Sequence, residues 1–223
     1  MLLVINDLLS RDELTRVRER FDRARFREGS VTAGHLAAKV KNNLQLAFET
    51  KECRWLTGII HDALQRNPKF VSAALPKAMC TPLFNRYLPG MSFGLHVDNA
   101  IRITDVTLRT DISGTVFLND SHEYEGGELI IEDTFGAQSI KLPAGSLVLY
   151  PSSSLHRIEQ VTAGYRDVAV FWVHSLVRDS EQRRLLYQLD QDIQHLSERM
   201  PDSPEIHSLV GSYHNLLRMW ADI

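Results

Sequence analysis

Two cysteines, no long apolar run and almost no net charge set the first limits on this chain of 223 residues. Cys53 and Cys80 lie far apart and in no C-x-x-C pair. That excludes a disulfide-stapled scaffold and leaves no thiolate cluster for a structural zinc; two small buried thiols in a reducing compartment are expected instead. No segment approaches the roughly 20 consecutive apolar residues of a membrane helix. The start, MLLVINDLLSRDELTRVRERF, lacks the basic leader and cleavage site of a signal peptide, so a cytoplasmic protein without a membrane partner is expected. Lys and Arg number 25 against 28 Asp and Glu, which leaves no positive surplus to attract nucleic acid or anionic lipid. Repeats and low-complexity tracts are also missing. What remains is material for one substantial core, or one core with a helical annex.

The front of the chain alternates short elements. LLVI reads as a strand, and Ser10-Arg11-Asp12-Glu13 as a capping box opening a helix over about 11–26, with Leu14, Val17, Phe21 and Ala24 at helical spacing. GSVTAGHLAAKVKNN is polar and loop-like; LTGIIHDALQRN predicts a second helix closed by Pro68. From about residue 83 the texture changes to eight short runs rich in β-branched and aromatic residues: LFNRYL, SFGLHV, GTVFLN, GELIIED, QSIKL, SLVLY, LHRIEQV and DVAVFWVHS. Strands spaced so closely, with Gly126-Gly127 and Ala144-Gly145 at turns, predict an α+β, mainly β protein built on an antiparallel sandwich or barrel. The widest piece without period lies between residues 99 and 112. After residue 177 helical spacing returns, with Leu185, Leu189, Ile193 and Leu196 on one stripe and a last helix opened by Ser203-Pro204-Glu205. These two helices need a partner, either the barrel or another subunit.

FGLHVDNA puts His96 and Asp98 at i and i+2, hence on one face of a strand. Alone, the pair has an ordinary structural explanation in which Asp98 holds His96 by a hydrogen bond. His156 follows in YPSSSLHRIEQV, and Arg166 ten residues later in TAGYRDVAVFWVHS. Singly, these too are a barrel histidine and a salt-bridge arginine. Jointly they point to a metal site. Two imidazoles and one carboxylate occupy one face of an ion and leave three positions open, a donor set suited to non-haem Fe(II) and oxygen chemistry. A guanidinium nearby can hold a carboxylate in bidentate fashion. Fe(II) at +2, Asp98 at −1, a dicarboxylate at −2 and Arg166 at +1 sum to zero, which avoids the desolvation penalty of a buried net charge. His122, His174, His207 and His214 have no such context.

RYLPGMSFGLHVDNAI, RTDISGTVFLND, YEGGELIIED, KLPAGSLVLYPSSSLHRIEQVTAGYRDVAVFWVHSLVRD, RRLLYQLDQDIQHL and, near the front, TAGHLAAKVKNN together resemble the bacterial PKHD-type hydroxylases over essentially the whole chain. These are Fe(II)- and 2-oxoglutarate-dependent dioxygenases similar in core to prolyl 4-hydroxylases. The resemblance implies a double-stranded β-helix, or jelly roll. It implies a dioxygenase domain over 1–177, its core at about 83–177, and a helical extension over 178–223. Carried over, His96, Asp98 and His156 match the iron ligands, Arg166 the 2-oxoglutarate arginine, and Tyr87 a position whose hydroxyl contacts the co-substrate. L-ascorbate as a helper is implied in the same way. The substrate, a small molecule or a peptide hydroxylated with dioxygen, is not legible. Two other readings stand beside this one: a cupin-like isomerase or hydrolase that uses metal without oxygen, and a non-catalytic jelly-roll binding module. The apolar stripes of the C-terminal helices leave a homo-oligomer contact open.

Overall fold

The run RDVAVFWVHS forms the longest strand, and its pattern shows how the fold is layered. In the computed structural model, which describes residues 1–32, 37–103, 107–133 and 136–223, Ala169, Phe171 and Val173 pack toward helices while Val168, Val170 and Trp172 face the other way. A strand buried on both faces has no polar side to display, so it reads as a continuous apolar run.

In chain order the elements begin with β1 (Leu3–Ile5), α1 (Arg11–Asp22), β2 (Phe26–Glu28), β3 (Lys41–Asn42), β4 (Leu44–Leu46), α2 (Lys51–Arg66), α3 (Pro68–Ala74) and β5 (Pro76–Met79). The central strands are β6 (Leu83–Tyr87), β7 (Ser92–His96), β8 (Ile101–Ile103), β9 (Thr107–Arg109), β10 (Ile112–Phe117), β11 (Tyr124–Gly126) and β12 (Leu129–Asp133). There follow β13 (Gly136–Ile140), β14 (Leu147–Pro151), β15 (His156–Ile158), β16 (Val161–Gly164), β17 (Arg166–Ser175), α4 (Ser180–Arg199) and α5 (Pro204–Trp220).

Two antiparallel sheets face one another as a jelly roll. The larger runs β1-β14-β10-β17-β6-β4-β2, with β5 also on β17; the smaller runs β13-β12-β15-β7-β3. Between them Tyr87, Phe117, Leu129, Ile131, Val148, Ile158 and Val168 make the inner core. Behind the larger sheet, Val17 and Phe21 of α1, Leu56, Ile60 and Leu64 of α2 and Phe70 of α3 bury against Phe84, Val116, Leu149 and Phe171.

Several boundaries depart from expectation. α1 stops at Asp22 rather than near 26, because Phe26 is recruited to a strand opposite Leu46 and sets its ring edge-on to Phe21 at 5.2 Å. α2 starts earlier, capped by Thr50, and Pro68 opens α3 as its first residue as well as ending α2. The segment 99–112 contains the ribbon β8-β9 rather than irregular chain. On α4 the stripe begins at Leu186, which is buried, and Leu185 is exposed. Leu186 joins Leu75 and Val177 in a small cluster against which Tyr213, Leu217 and Trp220 of α5 pack, so the helical pair finds a partner surface on its own chain. Both cysteines are buried and in no disulfide, and no helix among the described residues is long and apolar enough to cross a membrane.

The predicted capping box is present and does more than cap. Glu13 accepts from the backbone and hydroxyl of Ser10, and Arg66 at the end of α2 donates to both its carboxylate oxygens at 2.7 and 2.6 Å. Partial burial opposes the charged form, but these bonds outweigh it and lower the carboxyl from its ordinary 4.5 to about 2. A depressed folded-state pKa gives stability that is present above the ordinary carboxyl range and lost as pH falls through 4.5 toward 2. Glu13→Gln keeps the cap and removes the charge, so it should cost about 0.5–1 kcal/mol at pH 7. In denaturant titrations from pH 7 to pH 3 that gap from wild type should narrow steadily.

Candidate metal centre

The inner faces of the sheets carry the polar residues that the cores exclude. On β10 alternate side chains point inward, so Ser113 and Thr115, both 2% exposed, line the space between the sheets while Ile112 and Val116 pack behind. One pocket there is lined by all five residues singled out from the sequence: Tyr87, His96, Asp98, His156 and Arg166.

The smaller sheet supplies the donors. Its register sets His156 at the head of β15 directly opposite His96 at the end of β7. Asp98 follows two residues on, and its carboxylate oxygen lies 3.9 Å from His156 Nε2. One ligand atom from each of the three falls within 4.8 Å of the others. Both tautomers are dictated by the backbone. His96 Nδ1 lies 2.8 Å from the carbonyl of Gly94 and His156 Nδ1 3.0 Å from that of Ser154; a carbonyl only accepts, so Nδ1 carries the proton and Nε2 offers its lone pair. Burial, then the neighbouring His156, lower the His96 pKa to about 4, which keeps the ring neutral as metal binding requires. Phe93 stacks on His96 at 3.7 Å and Tyr150 meets His156 edge-on at 5.1 Å, fixing both rings.

The larger sheet supplies the cation. Arg166 opens β17 opposite Tyr87 of β6 and is only 1% exposed. Its guanidinium lies 5.3 Å from the Tyr87 ring and 5.4 Å from that of Phe117, and its Nε and one terminal nitrogen have no hydrogen-bond partner. The adjacent Asp167 points to the opposite face, where Arg86 holds it at 2.8 and 2.7 Å. A buried cation without a counter-ion among the described residues is costly to maintain in the empty protein, and a ligand carboxylate would offset that cost. Tyr87 is buried, and burial pushes its hydroxyl up to about 12, so it is a neutral hydrogen-bonding group.

The set of two neutral imidazole nitrogens, one carboxylate and an uncompensated guanidinium fits Fe(II) with a dicarboxylate. The comparisons agree. The family description 2OG-Fe(II) oxygenase superfamily matches residues 82–174, and PKHD-type hydroxylase C-terminal domain matches 180–222. A PKHD-type hydroxylase of Xanthomonas campestris pv. campestris (strain B100) is 49% identical with both chains covered in full. The chain belongs to the PKHD-type hydroxylases. A PKHD-type hydroxylase of Gluconobacter oxydans (strain 621H) is 50% identical, again over the whole of both chains. A prolyl hydroxylase from Trichoplax adhaerens shares the fold at a TM-score of 0.58 and 16% identity, covering 83% of this chain and 86% of that one. As a PKHD-type hydroxylase the protein is an oxidoreductase of the Fe(II)- and 2-oxoglutarate-dependent class.

Three side chains of this PKHD-type hydroxylase escaped the sequence reading. Ser113 donates to the Asp98 carboxylate at 2.5 Å and lies 2.8 Å from Ser152, orienting the acid from behind. Its signal was available: ISGTVF is an apolar strand interrupted by hydroxyl residues at alternate positions. Lys41 and Phe93 also line the pocket, and nothing in AKVKNN marks Lys41 for that place. Burial first, and then Arg102, lower the Lys41 pKa to about 8, with Asp98 opposing. Removing the Ser113 hydroxyl by Ser113→Ala should weaken Fe(II) binding by roughly 10–100-fold, the usual loss when a group behind a ligand is deleted. Metal titration of the purified protein checks this.

Proposed function

We propose that His96, Asp98 and His156 hold the iron, that Arg166 binds the far carboxylate of 2-oxoglutarate, and that Tyr87 contacts the same co-substrate. The observation that carries this reading is the Arg166 guanidinium, buried with two nitrogens unpartnered among the described residues in the pocket that is also lined by the three candidate donors. Bound together, iron, 2-oxoglutarate and dioxygen supply an oxidant able to hydroxylate an unactivated C–H, with succinate and carbon dioxide as co-products. The protein's share is placement. The Gly94 and Ser154 carbonyls keep both histidine protons on Nδ1; Ser113 aims the Asp98 carboxylate. Phe93, Phe117 and Tyr150 keep the walls dry, and this strengthens every charge interaction inside.

Ascorbate as a reductant for stray Fe(III) and work in the cytoplasm belong to the same proposal, the latter supported by two cysteines that form no disulfide. So does a division into a dioxygenase domain, 1–177, and a helical extension, 178–223. The test is anaerobic addition of Fe(II) and 2-oxoglutarate, watched for the visible absorption of an iron-bound 2-oxo acid, and then oxygen uptake measured against succinate release. Equal amounts of oxygen and succinate are expected. Turnover of any substrate without oxygen uptake would instead favour a cupin-like isomerase or hydrolase.

A further inference from the structure

Beside the metal pocket lies a second, larger cavity. The metal pocket encloses only about 50 Å³, whereas its neighbour encloses about 540 Å³, walled by Phe48, Thr57 and Leu83 with Arg54 and Arg102 among its lining residues. Leu83 lines both. A substrate body therefore has room in the second cavity and little in the first.

The strand that borders this cavity is patterned inside out. In β8, Ile101 and Ile103 are 53% and 82% exposed, while Arg102 between them turns in and lies over the Trp172 ring at 3.9 Å. Apolar side chains in water and a cation turned inward reverse the arrangement that burial favours, so packing alone does not explain Arg102. Stacking on an indole holds a guanidinium in a fixed plane. Among the described residues Arg102 forms no ion pair and its buried Nε has no hydrogen-bond partner. Trp172 is 7% exposed, lines the metal pocket, and its indole N–H is likewise buried and without a partner among the described residues. Two donors without a partner among the described residues, one lining each cavity and their side chains in stacking contact, call for an acceptor. The metal, Asp98, 2-oxoglutarate and Arg166 sum to zero charge, and Lys41 in the metal pocket adds a further cation, so Arg102 makes a positive surplus that a negative substrate would offset.

We propose that the substrate is a small organic acid, its carboxylate held by Arg102 and the Trp172 indole N–H and its apolar body in the cavity lined by Phe48 and Leu83. This rests on the reading of His96, Asp98 and His156 as the reacting centre, since it places the substrate beside them. The test uses benzoate, 3-phenylpropionate and octanoate, each against its neutral amide, titrated calorimetrically into protein held anaerobically with Fe(II) and saturating 2-oxoglutarate, so that Arg166 is occupied. At least one acid should bind tenfold or more tightly than its amide. Arg102→Gln should abolish that preference without weakening the amide; Arg102→Lys, which keeps the charge but loses the stacked plane, should retain part of it, and Trp172→Phe should weaken the acid severalfold. No preference for any of the three acids, or a preference unmoved by Arg102→Gln in a protein of unchanged melting temperature, overturns the proposal. Binding of 2-oxoglutarate reports separately on the catalytic reading. It should survive Arg102→Gln within twofold and fall with Arg166→Met, and failure of that pattern would remove the co-substrate assignment while leaving the acid-over-amide result to stand or fall by itself.

Discussion

Asp98→Ala protein should retain no iron and form no succinate, yet fold normally. In the proposed site the carboxylate is the anionic donor of the three; without it two neutral imidazoles would have to hold a dication alone. Loss of a group behind a ligand already costs roughly 10–100-fold in affinity, so loss of the ligand itself should cost more than about 100-fold. Folding should be spared, because the Asp98 side chain is only lightly engaged in the empty protein. It accepts from Ser113, whose hydroxyl also has Ser152 as a partner. Iron content after reconstitution, succinate formation and the melting temperature of the metal-free protein measure the three effects together. A variant with one iron per chain and normal turnover would end the assignment.

Arg166→Met should have opposite effects on stability and on co-substrate binding. The guanidinium is buried against Tyr87 and Phe117, and two of its nitrogens have no hydrogen-bond partner among the described residues. Replacing an inadequately compensated buried charge by an apolar side chain of similar length is often neutral, or stabilising by about 1–4 kcal/mol. The metal-free variant should therefore melt at or above the wild-type temperature. Binding of 2-oxoglutarate should weaken by about 2–5 kcal/mol, or roughly 30-fold to several thousand-fold, since the ligand's far carboxylate would enter a dry pocket unpaired. The rise in melting temperature that 2-oxoglutarate gives the wild type should vanish at the same ligand concentration. Unchanged 2-oxoglutarate affinity in a well-folded variant would show that the carboxylate lies elsewhere.

Both variants concern residues that could be picked out from the sequence, for a physical reason. His96 and Asp98 could be paired because side chains two positions apart in an extended chain point the same way, a property of three consecutive residues, although β7 itself ends at His96 and Asp98 lies just beyond it. Caps are equally local, so Ser10 and Ser203 appear at the starts of α1 and α5 as the sequence suggests. The misjudged boundaries are those where distant partners intervene. Phe26 leaves the helical pattern because Leu46 waits opposite it in a sheet. The ribbon β8-β9 could not be read from 99–112, since IRI shows an apolar alternation whose exposed side is the unexpected one. On α4 the choice between Leu185 and Leu186 depends on where Leu75 and Val177 lie, not on spacing within the helix.

By itself, then, the sequence determined the donor types, their spacing, the mainly β architecture and the guanidinium, because each depends on neighbours within a few residues or on the periodicity of a run. Only the tertiary structure decided that His156 sits opposite His96 and that Ser113 backs Asp98. It alone turned Asp167 away to Arg86, leaving Arg166 without a counter-ion among the described residues, and set Arg102 against Trp172. Those pairings follow from strand register and sheet order, which are set by packing between segments far apart in the chain, where no local pattern reaches.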